Sequence, residues 1–213
     1  MKGFVNFIFD LDGTLIDSNP SHDKAFKIAL RESSVPSKSS EFNYEKMKGK
    51  KTLDVMLELG FSLREAENLT LIKQESYRKL LSAGEVIVFP GVIECFEYLK
   101  YLGKKVFICT GASRTSVDII IDKFDFNSFL DGYITGSDVS EAKPSPMILN
   151  NLLAENHLNY KECIFVEDSL NGKLCGERAN VYTVIVNNPD IQGSGDFTSF
   201  KEFYDKLRVL NDR

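Results

Sequence analysis

Apolar residues recur in two rhythms along the 213-residue chain. Val5, Phe7, Ile8 and Phe9 make a short, nearly unbroken apolar run, the pattern of a strand buried on both faces. Comparable runs occupy residues 105–110, 132–136, 163–167 and 182–186. The stretches between them have helical spacing: 90–102 with Gly103 as its stop, then 113–124, 146–156 and the region around 172–179. Residues 193–195 read as a loop. Ser199 and Glu202 then form a capping box for a terminal helix with Phe200, Phe203, Leu207 and Leu210 on one side. Such alternation predicts an α/β fold, a parallel sheet with helices on both faces.

The first strand stands apart. About a hundred residues separate it from the next strand at 105–110, whereas a parallel crossover needs only a dozen or so. Residues 20–83 carry no strand signal and three helical patterns. Ser18 or Asn19 caps the first, with Pro20 at its first turn and Ala25, Phe26, Ile28, Ala29 and Leu30 as its apolar face. A polar loop at 33–40 follows, then Leu53 to Leu59 with a stop at Gly60, then a longer helix through Leu81 opened by a Ser62/Glu65 capping box. The spacing therefore predicts a core domain from 1–16 and 86–213 and an inserted, all-helical cap domain at 17–85, with hinges near 17–20 and 84–90.

Charge narrows the partners. A net charge of −5 and a pI near 5.2 lack the basic footprint that nucleic acid requires. No apolar run approaches the roughly 18 residues of a membrane span, and Met1 to Val5 leads into a charged motif rather than a signal peptide, so a cytoplasmic protein without membrane attachment is expected. Cys95, Cys109, Cys163 and Cys175 lack metal-type spacing and read as small buried thiols.

Chemistry gathers at the strand ends. The first strand closes in Asp10, Leu11, Asp12, Gly13, Thr14; two carboxylates so near each other call for a cation or a shared proton. The second ends in Thr110, Gly111, Ala112, Ser113, a hydroxyl and backbone N–H groups at a helix start, which suits a phosphate. Lys143 precedes Pro144 and Pro146, and the strand at 163–167 ends in Glu167, Asp168, Ser169 with Gly172 beyond. In open parallel sheets ligands bind at the carboxyl ends of strands, so these segments should converge.

In order and spacing, these segments resemble the DxDGT, Thr/Ser, KPxP and EDSxxG motifs of the haloacid dehalogenase-like (HAD) superfamily. The likeness extends to the subfamily with an inserted helical cap that includes β-phosphoglucomutase and phosphoglycolate phosphatase. The resemblance implies a Rossmann-like core beneath that cap. It implies a nucleophilic Asp10 that forms an aspartyl phosphate, and Asp12 as general acid and base. Lys143 would pair with Asp10 and the transferring phosphoryl group, with Thr110, Gly111 and Ala112 as further phosphate ligands. Mg²⁺ would be held by Asp10, the Asp12 backbone carbonyl and Asp168, with Glu167 acting through a bound water. The superfamily's dehalogenases need neither a metal nor a leaving-group acid, so Asp12 with Asp168 points to phosphoryl transfer.

Cap residues are less distinctive. His22, ten residues past Asp12, reads either as an exposed first-turn histidine or as a sensor of cap closure bonded to backbone near the acid/base. In the KGKKT stretch from Lys48 to Thr52, Thr52 aligns with the arginine that holds the mutase's second phosphate; Lys50 or Lys51 would supply point charges without a guanidinium fork. Lys73, four residues before Tyr77, matches a cap lysine of the subfamily, although alone it reads as a solvated helix face. The expected function is a Mg²⁺-dependent phosphatase, monomer favoured, for a small phosphorylated metabolite such as a sugar or polyol phosphate. A β-phosphoglucomutase-like phosphotransferase and a catalytically weak regulatory binding module stand as alternatives.

Overall fold

β1 (Asn6–Phe9), buried along its whole length, is the middle strand of five. The structure, a computed structural model, describes residues 3–48, 50–193 and 195–211; Gly49 of the KGKKT stretch and Ser194 of the 193–195 loop lie outside them. After β1 the two-residue β2 (Ile16–Asp17) leads into α1 (Asn19–Arg31), α2 (Lys38–Glu41), α3 (Thr52–Glu58) and α4 (Leu63–Ser82). β3 (Ile87–Val88) and α5 (Val92–Tyr101) follow. The alternation then runs β4 (Lys105–Cys109), α6 (Arg114–Lys123), β5 (Gly132–Ile134), α7 (Met147–Glu155), β6 (Cys163–Glu167), α8 (Leu170–Arg178), β7 (Tyr182–Ile185) and α9 (Phe200–Asn211).

The large sheet has the order β5-β4-β1-β6-β7, and every neighbouring pair is parallel. Successive residues of β1 point to opposite faces: Phe7 and Phe9 join one apolar cluster with Phe96 of α5 and Phe203 of α9, while Ile8 joins another with Leu149 of α7 and Cys175 of α8. Both faces are covered, which is why the strand reads as a continuous apolar run. The chain moves outward from β1 through β4 and β5, then returns to β6 and β7 on the other side. This reversal opens a crevice at the carboxyl end of β1, the usual ligand position in such sheets.

Helices α1, α3 and α4 gather a separate apolar cluster that includes Phe26, Leu30, Met56 and Leu69. Tyr77, Leu80 and Leu81, toward the end of α4, join the main cluster instead. The two chain crossings between segments lie side by side as an antiparallel ribbon, Ile16 opposite Val88 and Asp17 opposite Ile87. Two-residue strands carry no periodicity, so the sequence pattern marks only hinges there.

Several boundaries move for local reasons. The polar loop at 33–40 folds in part, since α2 starts at Lys38 and a 3₁₀ turn at Tyr44–Met47 follows. α5 begins at Val92 because Gly91, at φ +89°, turns the chain into it. Both capping boxes are half formed: Ser62 and Ser199 accept from the N–H groups of Glu65 and Glu202, but those two carboxylates accept from Ser34 and Thr198. α1 has Ser18 at its cap without a capping bond, because that hydroxyl is turned toward Asp12. All four cysteines are free and buried. No helix among the described residues is long and apolar enough to cross a membrane.

Candidate active site

The carboxyl ends of β1, β4 and β6 open on a cavity of about 250 Å³ roofed by the helical segment. Asp10, Asp12, Thr110, Gly111, Ala112, Glu167 and Asp168 all face it. Lys143 does not; it lies behind Asp10, 3% exposed. Its ammonium donates to Asp10 Oδ1 at 2.7 Å, Glu167 Oε1 at 2.6 Å and the Cys109 carbonyl at 3.0 Å. All three N–H groups of one lysine are thereby directed at the ends of three parallel strands.

Glu167 is held on both of its oxygens. Beyond Lys143 on Oε1, its Oε2 accepts from the N–H groups of Asp168 and Ser169 and from the Ser169 hydroxyl, each at 2.9 Å. The carboxylate therefore clamps the turn that follows β6, and both of its oxygens are engaged by protein donors. The Glu-Asp-Ser-x-x-Gly spacing follows from this clamp: a Cβ on Gly172 would stand 1.8 Å from the Glu167 carboxyl carbon. Gly13 is constrained similarly, with φ +85° and Asp168 Oδ2 2.2 Å from where a Cβ would be. Asn187, unremarked in the sequence, donates to the carbonyls of Gly13 and Thr14, and Asn188 donates to the Asp168 carbonyl, so the loop after β7 ties the other two strand ends together.

Asp10, Glu167 and Asp168 each bring one oxygen within 4.8 Å of the others. Burial, then Glu167 and Asp168, push Asp10 up against the opposing pull of Lys143. Burial and Glu167 raise Asp168 to about 7, against Lys48 at 3.5 Å and Lys143. Burial works to lower Lys143, but Asp10 and Glu167 outweigh it and hold the ammonium up. Three buried carboxylates around one fully engaged lysine leave an excess of negative charge, and the donors are all oxygens. This donor set fits a hard divalent cation such as Mg²⁺.

On the β4 side the Ala112 N–H donates to Thr110 Oγ1 at 3.1 Å, and the Gly136 N–H donates to the Ala112 carbonyl at 2.9 Å. These bonds fix the loop at the start of α6, where backbone N–H groups favour an anion.

Asp12 turns toward the helices. Its Oδ1 accepts from the Ser18 hydroxyl at 2.6 Å, His22 Nε2 at 3.0 Å and the Tyr77 hydroxyl at 3.1 Å. His22 is buried and stacked on Tyr77 with ring centroids 4.0 Å apart; it bonds the Asp12 side chain, not nearby backbone. Lys73 is also buried rather than solvated, and its ammonium lies 2.8 Å from His22 Nδ1. An ammonium only donates, so the proton of the neutral imidazole is on Nε2, which donates to Asp12. Burial lowers His22, with Lys73 adding to it. Burial works to raise Asp12, but His22, Ser18 and Lys73 outweigh it and hold the carboxyl at about 2.

Burial holds Lys73 down at about 8, against the pull of Asp12. Below that pH it is charged in both folded and unfolded chains, and its desolvation opposes folding by up to about 3 kcal/mol. Between about 8 and 10.5 the folded state gives up the proton first, so this group's contribution to stability rises with pH. Lys73→Met is therefore expected to raise stability at pH 7 by about 1–3 kcal/mol, an advantage that shrinks toward pH 10. Urea melts at the two pH values check this, and a variant less stable than wild type at pH 7 contradicts it.

Neither Lys50 nor Lys51 is poised toward the strand ends, though both border the cavity. Lys50 pairs with Glu58, and Lys51 donates to the carbonyls of Val139 at 2.7 Å and Ser140 at 3.2 Å, strapping the helical segment to the loop before Lys143. Lys48, Tyr44 and Tyr77 also line the cavity, beyond the residues expected from the sequence. Only Lys48 had a signal, its place in a basic cluster, and its partner Asp168 lies far along the chain.

A model of the haloacid dehalogenase-like hydrolases matches residues 7–186. A haloacid dehalogenase-like hydrolase domain-containing protein of Arabidopsis thaliana is 32% identical over 66% of this chain, which spans 43% of that protein's length. The phosphoglycolate phosphatase of Caulobacter vibrioides is 28% identical over 84% of this chain and 77% of its own. A hydrolase from Pseudomonas syringae shares the fold with a TM-score of 0.80 at 23% identity, covering 97% of this chain and 99% of its own.

Proposed function

Because the chain belongs to the haloacid dehalogenase-like hydrolase family, we propose that it is a Mg²⁺-dependent phosphatase acting on a small phosphorylated metabolite, with a sugar or polyol phosphate as the substrate type. The observation that carries this reading is the Lys143 ammonium bonded to both Asp10 and Glu167, with Asp168 beside them at the cavity floor. Residues 17–85 act as a cap over a core formed by 1–16 and 86–213. The phosphatase name of the Caulobacter relative supports the same class of reaction.

In this reading an Asp10 oxygen attacks phosphorus, the phosphorus–oxygen bond to the alcohol breaks, and Asp12 protonates the departing oxygen. Water then attacks the aspartyl phosphate, Asp12 takes its proton, and inorganic phosphate leaves. Asp12 as found is the anion, held so by three donors on one oxygen. That is its base form; serving as acid requires it to leave those donors and take up a proton. Lys143, from behind, keeps Asp10 ionised and oriented, while Thr110, Gly111 and Ala112 receive the phosphoryl oxygens. Asp10, Asp168 and the Asp12 carbonyl would hold Mg²⁺, which when bound offsets charge on the transferring group. Glu167 serves as the counter-ion of Lys143.

Hydrolysis is favoured over a mutase reaction because, by the motif resemblance, Thr52 aligns with the arginine that reaction needs, and Lys50 and Lys51 are tied elsewhere. The expected result is release of phosphate from p-nitrophenyl phosphate with Mg²⁺, falling about 100-fold or more on chelation and returning with added metal. Given β-glucose 1-phosphate and a bisphosphate primer, the protein should yield free phosphate and little glucose 6-phosphate. Chelator-resistant turnover, or glucose 6-phosphate as the main product, overturns the reading.

A further inference from the structure

Four lysines border the cavity from the helical segment, and each has a partner within the protein. Lys48 pairs with Glu45 and approaches Asp168, Lys50 pairs with Glu58, and Lys51 is bonded to two carbonyls across the cavity. Lys73 is bonded to His22, with Asp12 beyond. Each ammonium at this wall is already engaged by an acceptor within the protein. A second anion on the substrate would have to compete for it.

Neutral polar groups are the ones without partners. Thr70 Oγ1, on α4 at the cavity wall, is buried and makes no hydrogen bond among the described residues. Gln74 lies four residues on, hence on the same helix face. It also borders the cavity, and its amide makes no hydrogen bond among the described residues. A hydroxyl and an amide each both donate and accept, which is the complement of an alcohol and not of a carboxylate or phosphate alone. A buried hydroxyl left unpaired is costly, so this one calls for a partner that arrives with the ligand.

We propose that Thr70, with Gln74, is a specificity-determining pair that reads hydroxyl groups at the end of the substrate remote from phosphorus, so that the site takes a polyhydroxylated monophosphate in preference to a bisphosphate or a phosphorylated acid. This rests on the phosphatase reading above, and binding separates the two. Asp10→Asn protein with Mg²⁺ is titrated calorimetrically with sorbitol 6-phosphate, phosphoglycolate and fructose 1,6-bisphosphate. Sorbitol 6-phosphate should bind at least about tenfold more tightly than the other two. Thr70→Val in the same background should weaken it about five- to tenfold and the others less than twofold. Thr70→Ser, which keeps the hydroxyl, should restore binding, and Gln74→Leu should repeat the selective loss from the next turn. Tighter binding of either doubly charged ligand, or an equal loss of all three in Thr70→Val, overturns the proposal. Should the binding pattern hold while wild-type protein releases phosphate from none of the three, the phosphatase reading fails and the assignment of Thr70 stands.

Discussion

Asp10→Asn is expected to lower phosphate release by at least about 10⁴-fold while the protein stays folded. Among the described residues no neighbouring carboxylate is placed to take over. Glu167 has both oxygens engaged by Lys143 and the turn after β6, and Asp12 is held against the helical segment by Ser18, His22 and Tyr77. Asp168 faces Thr14 and Lys48. Asp10 lies at the cavity floor with Lys143 on one of its oxygens. The asparagine keeps an acceptor for that ammonium, and Lys143 keeps Glu167 at 2.6 Å, so the buried ion pair survives the change. Burial already pushes the Asp10 carboxyl up, so removing its charge relieves a desolvation cost while giving up its attraction to Lys143. Acid quenching during turnover should trap phosphate covalently on wild-type protein and none on the variant. A variant turning over near the wild-type rate would remove Asp10 as nucleophile.

The part of the site that lies along the sheet edge is legible in the sequence because strand ends carry their own punctuation. Runs of apolar residues stop abruptly at Asp10, Thr110 and Glu167, and parallel strands of one sheet end on one side. What the pattern withholds is direction. Asp12 and Glu167 are both acids at the mouths of neighbouring strands, yet one turns to the helices and the other folds back on Lys143. Their donors, Tyr77 for the first and Lys143 for the second, lie 65 and 24 residues away. Burial of single polar groups on amphipathic helices is withheld as well. Lys73 and Thr70 occupy α4 positions whose exposure depends on how α1 and α4 pack, and nothing local marks either as facing a cavity. The β2–β3 ribbon escapes for a simpler reason, since two residues are too few to show alternation.

Lys143→Met should damage both stability and turnover more than any single change in the helical segment. The methionine fills a similar volume but leaves Asp10 and Glu167, both buried, without their shared cation. Removing one partner from a buried ion pair costs about 3–5 kcal/mol, because the remaining charge has neither water nor counter-ion. For a chain of this size that corresponds to a fall in melting temperature of roughly 10 °C. Turnover should fall further than stability alone explains. Lys143 is what sets the Asp10 carboxylate at the cavity floor and keeps it ionised, and without it burial pushes Asp10 higher still. A nucleophile that is partly protonated and less firmly oriented should reduce kcat by about 10³-fold, with a smaller effect on KM because Lys143 does not face the cavity. Adding Glu167→Gln to Lys143→Met should recover part of the lost stability and none of the lost rate. The double variant loses the unpaired carboxylate but still lacks the cation beside Asp10. Recovery of rate in the double variant would mean that Lys143 acts only by balancing Glu167, and the catalytic assignment would fall with it.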